Sequence, residues 1–286
     1  MIRKLAIGTA QWGLNYGLCN NLGKTSDQDI KLILNLAKRL GISIVDTAQA
    51  YGDAESRMGA HNMIDFNVVT KINGLKSKEC VQQIPEQIYR SLERLGIENM
   101  YGVLLHNAED LSEPHGREIV STLEALKSSG HILKIGVSLY DEDQADFVLK
   151  IFTPDILQVP LNVLDQRFLI NGYLREFKKR GIEVHARSIF LQGLLLMQPD
   201  QVPQYFKRFL PSLRSWHRAA NEQAMSLCTA AMSFVTTLDD VDFAITGFAN
   251  FDQFNSVTQD ISLNSIFDAT NLESFDRGLI NPSTWT

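Results

Sequence analysis

Short apolar runs alternate with amphipathic stretches along this chain to about residue 258. The apolar runs are LAIGTA (5–10), ISIVD (42–46), FNVVTK (66–71), YGVLLH (101–106), LKIGVS (133–138), ILQVP (156–160), IEVHARS (182–188) and DFAITG (242–247). Their lengths and β-branched content predict strands. Between the first two, Ser26 and Asp29 have capping-box spacing, and Ile30, Ile33, Leu34, Ala37 and Leu40 follow at helical period up to Gly41. Further helices are predicted near 86–95, 117–128, 141–150, 169–179 and 220–235, with Gly96, Gly130 and Gly181 as stop signals after three of them. Eight strands separated by helices predict an α/β fold closed as a (β/α)8 TIM barrel. The alternative, an open doubly wound sheet, would carry GxGxxG after its first strand; here Thr9, Ala10, Gln11 and Trp12 separate Gly8 from Gly13.

The expected organisation is one barrel over residues 1–286, with two inserts and a tail. The first insert, residues 15–27, is rich in Asn and Gly and marks a turn-rich loop after the first strand. The second, 198–223, has prolines at 199, 203 and 211 that should break it into short pieces, as a lid, a subunit contact or a surface excursion. From about residue 259 the chain is polar with scattered apolar positions, which suits loose packing across one barrel end.

Composition narrows the function classes. The chain has 286 residues, 44% hydrophobic and 21% charged, which are globular values. With 27 basic against 33 acidic side chains and no long basic run, nucleic acid is not an expected partner. Cys19, Cys80 and Cys228 are odd in number and far apart, reading as free thiols in a reducing compartment and giving no zinc pattern. The apolar stretch before Gln11 and Trp12 is too short for a signal core or a membrane span, so a cytoplasmic location and no membrane partner are expected. The oligomeric state is left open.

In such a barrel the chemistry sits at the carboxy-terminal strand ends. Asp46, Lys71, His106, Ser138, Ser188 and Gly247 close predicted strands, Gln158 lies within one, and Tyr51 follows Asp46 by five residues. A phenol with an ordinary pKa near 10 donates a proton more readily when a cation favours its phenolate; a lysine supplies that charge and an aspartate holds the lysine. A histidine at the same mouth can hydrogen-bond a carbonyl oxygen as charge develops on it. Together these suit hydride reduction of a small-molecule carbonyl by a nicotinamide. Each residue also has a bland reading, as a loop cap, a solvated strand end or a rim aromatic. Two other classes stay open: a metal-assisted hydrolase using Asp46, His106 and His185, and a non-catalytic nucleotide-binding regulatory or interaction protein on the same barrel.

The segment IVDTAQAYGDAESRMG (44–59), with VVTK and LLHN, resembles the aldo-keto reductase superfamily, and the resemblance extends to about residue 258. It implies a catalytic tetrad of Asp46, Tyr51, Lys71 and His106, with Tyr51 the proton donor and Lys71 paired to Asp46, and NADPH more often than NADH as cofactor. Ser138 and Gln158 match residues that bind the nicotinamide carboxamide, although Leu139 replaces the usual asparagine. HARSIFLQGLLL places Ser188, Phe190, Gln192 and Gly193 near the pyrophosphate. Arg187 stands where an aromatic usually stacks on the nicotinamide, leaving two readings, a stacked guanidinium or a charge selecting an anionic substrate group. Gly247, Phe248, Asn250 and Gln253 match the adenosine end, with Gln253 in place of a common arginine for the 2′-phosphate and Ser256 and Val257 in place of a Glu-Asn pair. Trp12 is implied in the substrate pocket. TAQWGLNYG with RSIFLQGLLL is similar to a bacterial branch linked to sugar or surface-polysaccharide metabolism, implying a sugar-like carbonyl.

Overall fold

The computed structural model describes residues 1–75, 77–112, 114–262 and 265–285; the expected tail therefore includes positions 263, 264 and 286 that lie outside the described residues. Eight parallel strands form a closed barrel in sequence order: β1 (Leu5–Gly8), β2 (Ile44–Asp46), β3 (Asn67–Ile72), β4 (Met100–Leu105), β5 (Ile132–Ser138), β6 (Ile156–Pro160), β7 (Glu183–Arg187) and β8 (Phe243–Gly247). β8 pairs back onto β1, with Gly247 opposite Gly8, so no edge is left open.

The period of two along each strand divides the apolar residues into two sets. Ala6, Ile44, Val69, Leu104, Ile156 and Ile245, one from each of six strands, form a separate cluster that fills the barrel interior. The alternate residues, such as Ile7, Val45, Val68, Val103, Val137 and Val184, join the larger core between barrel and helices. Gly136 lies where a Cβ would come within 2.4 Å of both Ile156 O and Leu104 Cδ2, so a bare backbone is required at that inward position.

The helix Asp27–Leu40 begins as its capping signal requires, with Ser26 Oγ accepting from Asp29 N, and stops at Gly41 in the left-handed conformation. The stretch 169–179 is not one helix: Arg167–Ile170 and Tyr173–Lys179 meet at Gly172, whose φ is +77°. The stretch 220–235 is likewise divided. One helix, Leu210–Glu222, ends three residues into it, and another, Leu227–Thr236, starts where Ser226 caps Thr229 N.

The prolines divide 198–223 as expected: Pro199 lies in a turn, and Pro203 precedes a short 3-10 helix, Gln204–Phe209. Pro211 occupies the first turn of the helix Leu210–Glu222, where its missing N–H costs nothing. Phe206, Phe209, Leu213 and Trp216 are buried, and Trp216 Nε1 donates to Leu195 O at 2.8 Å. The segment is thus built into the core. The tail is also anchored more firmly than its polarity suggests, burying Phe267, Leu279 and Ile280. No helix among the described residues is long and apolar enough to cross a membrane.

Candidate active site

Two residues beyond each member of the inner apolar cluster, the same strands present Gly8, Asp46, Lys71, His106, Gln158 and Gly247. All six line one cavity of about 710 Å³ at the carboxy-terminal end of the barrel, within the range of small-molecule sites. Ser138 and Arg187 reach it from the remaining two strands. One alternation therefore builds both the apolar plug and the polar floor above it.

Lys71 is almost fully buried, and its Nζ donates to Asp46 Oδ1 at 2.5 Å and to Thr47 O at 3.0 Å. Gln158 Nε2 donates to the other oxygen, Asp46 Oδ2, at 2.8 Å, so both carboxylate oxygens are satisfied. Burial works against the ammonium, but attraction to Asp46 and Tyr51 outweighs it and the Lys71 pKa lies above its ordinary value. Lys71 Nζ is 5.2 Å from the centre of the Tyr51 ring. His106 meets that ring edge-on, 6.1 Å between centres. Burial, reinforced by the Lys71 charge, pushes the His106 pKa down to about 4, so its imidazole is neutral at physiological pH.

The loop carrying Tyr51 is braced from below. Gln49 N donates to Lys71 O at 3.1 Å, and Gln49 Nε2 donates to Ser91 Oγ at 2.9 Å. Gly52, with φ +58°, lies where a Cβ would come within 2.5 Å of Gly13 O. Glu55 is buried and accepts from Thr70 Oγ1 at 2.7 Å, Ser91 Oγ at 3.1 Å and Arg94 Nε at 2.8 Å. This ties the short helix after Tyr51 to the residue beside Lys71. Glu55 was not singled out from the sequence, where an acid on a short helix looks like a solvent-facing residue.

The opposite chain segments complete the wall. Ser188 and Gln192 have φ of +62° and +55°, and with Phe190 and Gly193 they line the cavity. Leu18 N donates to Gln192 O at 2.9 Å, joining the loop after β1 to the loop after β7. Gly247, Phe248 and Gln253 line the cavity too, and Gln253 Oε1 accepts from Ala249 N at 2.9 Å. Asn250 does not line it; its Oδ1 accepts from Gln253 N as a helix cap. Trp12 is also absent from the lining and fully buried in the barrel–helix core. Following the first strand was a poor guide for Trp12, because its short helix Ala10–Gly13 turns the indole away from the mouth.

His185 does not join Asp46 and His106. It lies one inward step below Arg187, fully buried, with Nε2 2.6 Å from Glu183 Oε1. Lys134 and Tyr101 converge on the same carboxyl. Burial would raise the Glu183 pKa, but hydrogen bonds from His185, Lys134 and Tyr101 hold it down at about 2. This is a structural network inside the barrel. Cavity residues not expected there from the sequence include Gln11, Cys19, Tyr140, Cys228 and Asp252.

The wall chemistry suits a dinucleotide. Gln11 Oε1 is buried without a hydrogen-bond partner and lies 2.1 Å from where a Cβ on Gly247 would be, so this side of the cavity presents a spare acceptor and bare backbone. Amide, hydroxyl and aromatic side chains share the same wall.

The aldo/keto reductase family model matches residues 4–275, and the chain belongs to this family. It is an NAD(P)-dependent oxidoreductase acting on a carbonyl. The chain is 25% identical to the NADH-specific methylglyoxal reductase of Escherichia coli (strain K12), over 94% of this chain and 93% of that protein. It is 24% identical to the L-galactose dehydrogenase of Arabidopsis thaliana, over 81% of this chain and 77% of the other. Among solved structures, the holo form of an aldo-keto reductase from Bacillus halodurans superposes with a TM-score of 0.74 at 20% identity, covering 93% of this chain and 88% of that one. A glycerol dehydrogenase from Gluconobacter oxydans gives 0.66 at 20% identity, over 93% and 94%. The two structures share the fold. Family membership sets aside the hydrolase and the non-catalytic alternatives.

Proposed function

We propose that the protein reduces the carbonyl of a small sugar-like or 2-oxoaldehyde metabolite, with Tyr51 as the proton donor. The observation that carries this is the buried Lys71–Asp46 pair 5.2 Å from the Tyr51 ring, in a cavity that His106 shares. Asp46 keeps Lys71 charged despite burial, so a cation faces the Tyr51 ring, placed to stabilise charge that develops as a proton is transferred. Tyr51 Oη gives that proton to the carbonyl oxygen. His106, neutral, offers one ring N–H to the same oxygen and adds no second charge. In the reverse direction the Tyr51 phenolate takes the alcohol proton. The bound dinucleotide supplies or accepts the hydride.

Ser138 and Gln158 are suited to the nicotinamide carboxamide, Ser188, Phe190, Gln192 and Gly193 to the pyrophosphate, and Gly247, Phe248 and Gln253 to the adenosine end. Asn250 acts there through its cap on Gln253. The substrate class is supported by the names of the two relatives, a methylglyoxal reductase and an L-galactose dehydrogenase. Three free thiols suit operation in the cytoplasm, and a single domain over residues 1–286 suits the continuous closure of the barrel. The test is loss of nicotinamide absorbance with a panel of aldehydes and aldoses, methylglyoxal included. Dinucleotide binding without turnover of any of them would overturn the reading.

A further inference from the structure

The reacting end of the cavity holds a cation that no ion pair balances among the described residues. Lys71 is matched by Asp46, and His106 is neutral. Arg187 also lines the cavity, and among the described residues no carboxylate forms an ion pair with it. Its contacts are all with neutral groups: Nη2 donates to Leu139 O at 2.8 Å, Nη1 to Ser188 Oγ at 3.2 Å, and the guanidinium stacks 4.4 Å above the Tyr140 ring. These three contacts fix the orientation of the planar fork without neutralising it. Of its five N–H donors, two are engaged in these bonds, leaving donors for a ligand.

The position of this charge is as telling as its presence. Arg187 projects inward from the end of β7, in the same alternation that carries Lys71 and Gln158 to the cavity. Its field reaches the reacting end, where it acts to lower the proton affinity of both Lys71 and His106. A half-buried, unpaired guanidinium is costly unless an anion meets it. A guanidinium fork matches a carboxylate in two parallel hydrogen bonds, which an ammonium cannot reproduce.

Resting on the reductase reading above, we propose that Arg187 forms a carboxylate subsite, and that the preferred substrate is an oxo acid, a small molecule carrying a carboxylate as well as the reducible carbonyl. Uronic acids and short ω-oxo acids have this chemistry. The carbonyl carbon gains hydride, its oxygen gains the Tyr51 proton, and the carboxylate is held unchanged by Arg187. The dinucleotide's own phosphates are the other source of an oxyanion, and the experiment separates the two.

Matched acid and neutral substrates give the measurement: D-glucuronate against D-glucose, and 4-oxobutanoate against 4-hydroxybutanal. In wild type, kcat/KM for the acid should exceed that for the neutral partner by about tenfold or more in the better-fitting pair, the factor a charge-assisted hydrogen bond supplies. Arg187→Met should collapse that ratio to about one, and Arg187→Lys should restore part of it. Arg187→Gln repeats the comparison if the Met variant melts below the assay temperature. A wild-type ratio of one or less in both pairs overturns the proposal, as does a ratio that survives Arg187→Met. If Arg187→Met lowers both members alike and weakens NADPH binding in a fluorescence titration, the charge serves the dinucleotide and the carboxylate subsite is wrong. Calorimetry with 4-hydroxybutanoate reads the subsite without turnover: binding to wild type that is lost in Arg187→Met supports it, and no binding to wild type overturns it. Failure to reduce any carbonyl, acid or neutral, overturns the reductase reading instead.

Discussion

Lys71 Nζ and Asp46 Oδ1 lie 2.5 Å apart in side chains that are 1% and 4% exposed, which makes each the condition for the other's charge. Removing one partner leaves an uncompensated buried ion, a change that costs about 3–5 kcal/mol. Asp46→Asn and Lys71→Met should each lower unfolding stability by about that amount, and the double variant by clearly less than the sum. Urea denaturation of the four proteins checks this. Additive losses would mean that the two groups do not depend on each other.

His106 gives a pH prediction. Its folded pKa of about 4 lies below the ordinary 6.5, so the unfolded chain binds more protons between these values. Its contribution to stability is full above pH 6.5 and is lost as pH falls towards 4. The stability difference between wild type and His106→Asn should therefore change across this window and be constant from pH 7 to 8. Urea midpoints at each pH measure it. A reduction rate that titrates near pH 6.5 in wild type but not in the variant would contradict a neutral His106.

The adenosine end predicts weak choice between dinucleotides. Gln253 offers an amide whose oxygen already accepts from Ala249 N, and Asp252 beside it adds a negative charge to the lining. Neither supplies a cation for a 2′-phosphate. Discrimination in Kd between NADPH and NADH should stay well under 1000-fold, about 4 kcal/mol. Gln253→Arg should shift the ratio towards NADPH by about 10- to 150-fold, equivalent to about 1.5–3 kcal/mol. Fluorescence titrations with both dinucleotides decide it, and a larger native preference for NADPH would require a cation elsewhere.

The barrel was legible because each strand had to be apolar for burial between plug and helices, and that requirement writes itself as runs such as ILQVP and LKIGVS. Asp46, Lys71 and His106 were legible for a related reason: a polar residue ending such a run lies at the mouth of any closed barrel. Trp12 was not, since an indole after a strand is equally suited to core or pocket, and the short helix Ala10–Gly13 decided for the core. The division of 220–235 was hidden because Ala224 takes a φ of +54°, a turn with no glycine to announce it. Glu55 and Tyr140 act through partners distant in sequence, Thr70 and Arg94 in one case and Arg187 in the other, and no local spacing records such contacts.

If Tyr51 moves the proton, Tyr51→Phe should remove the chemistry and leave the site intact. The substitution deletes one oxygen while keeping the ring that faces Lys71 and His106. Single-turnover reduction of an aldehyde, with the dinucleotide bound beforehand and its Kd measured by fluorescence, separates chemistry from binding. With Tyr51 as the donor, the expected rate is at least about 100-fold below wild type with dinucleotide affinity retained, the range for loss of a general acid. A rate within a few-fold of wild type would contradict it, and the proton would then have to come from another group in the cavity.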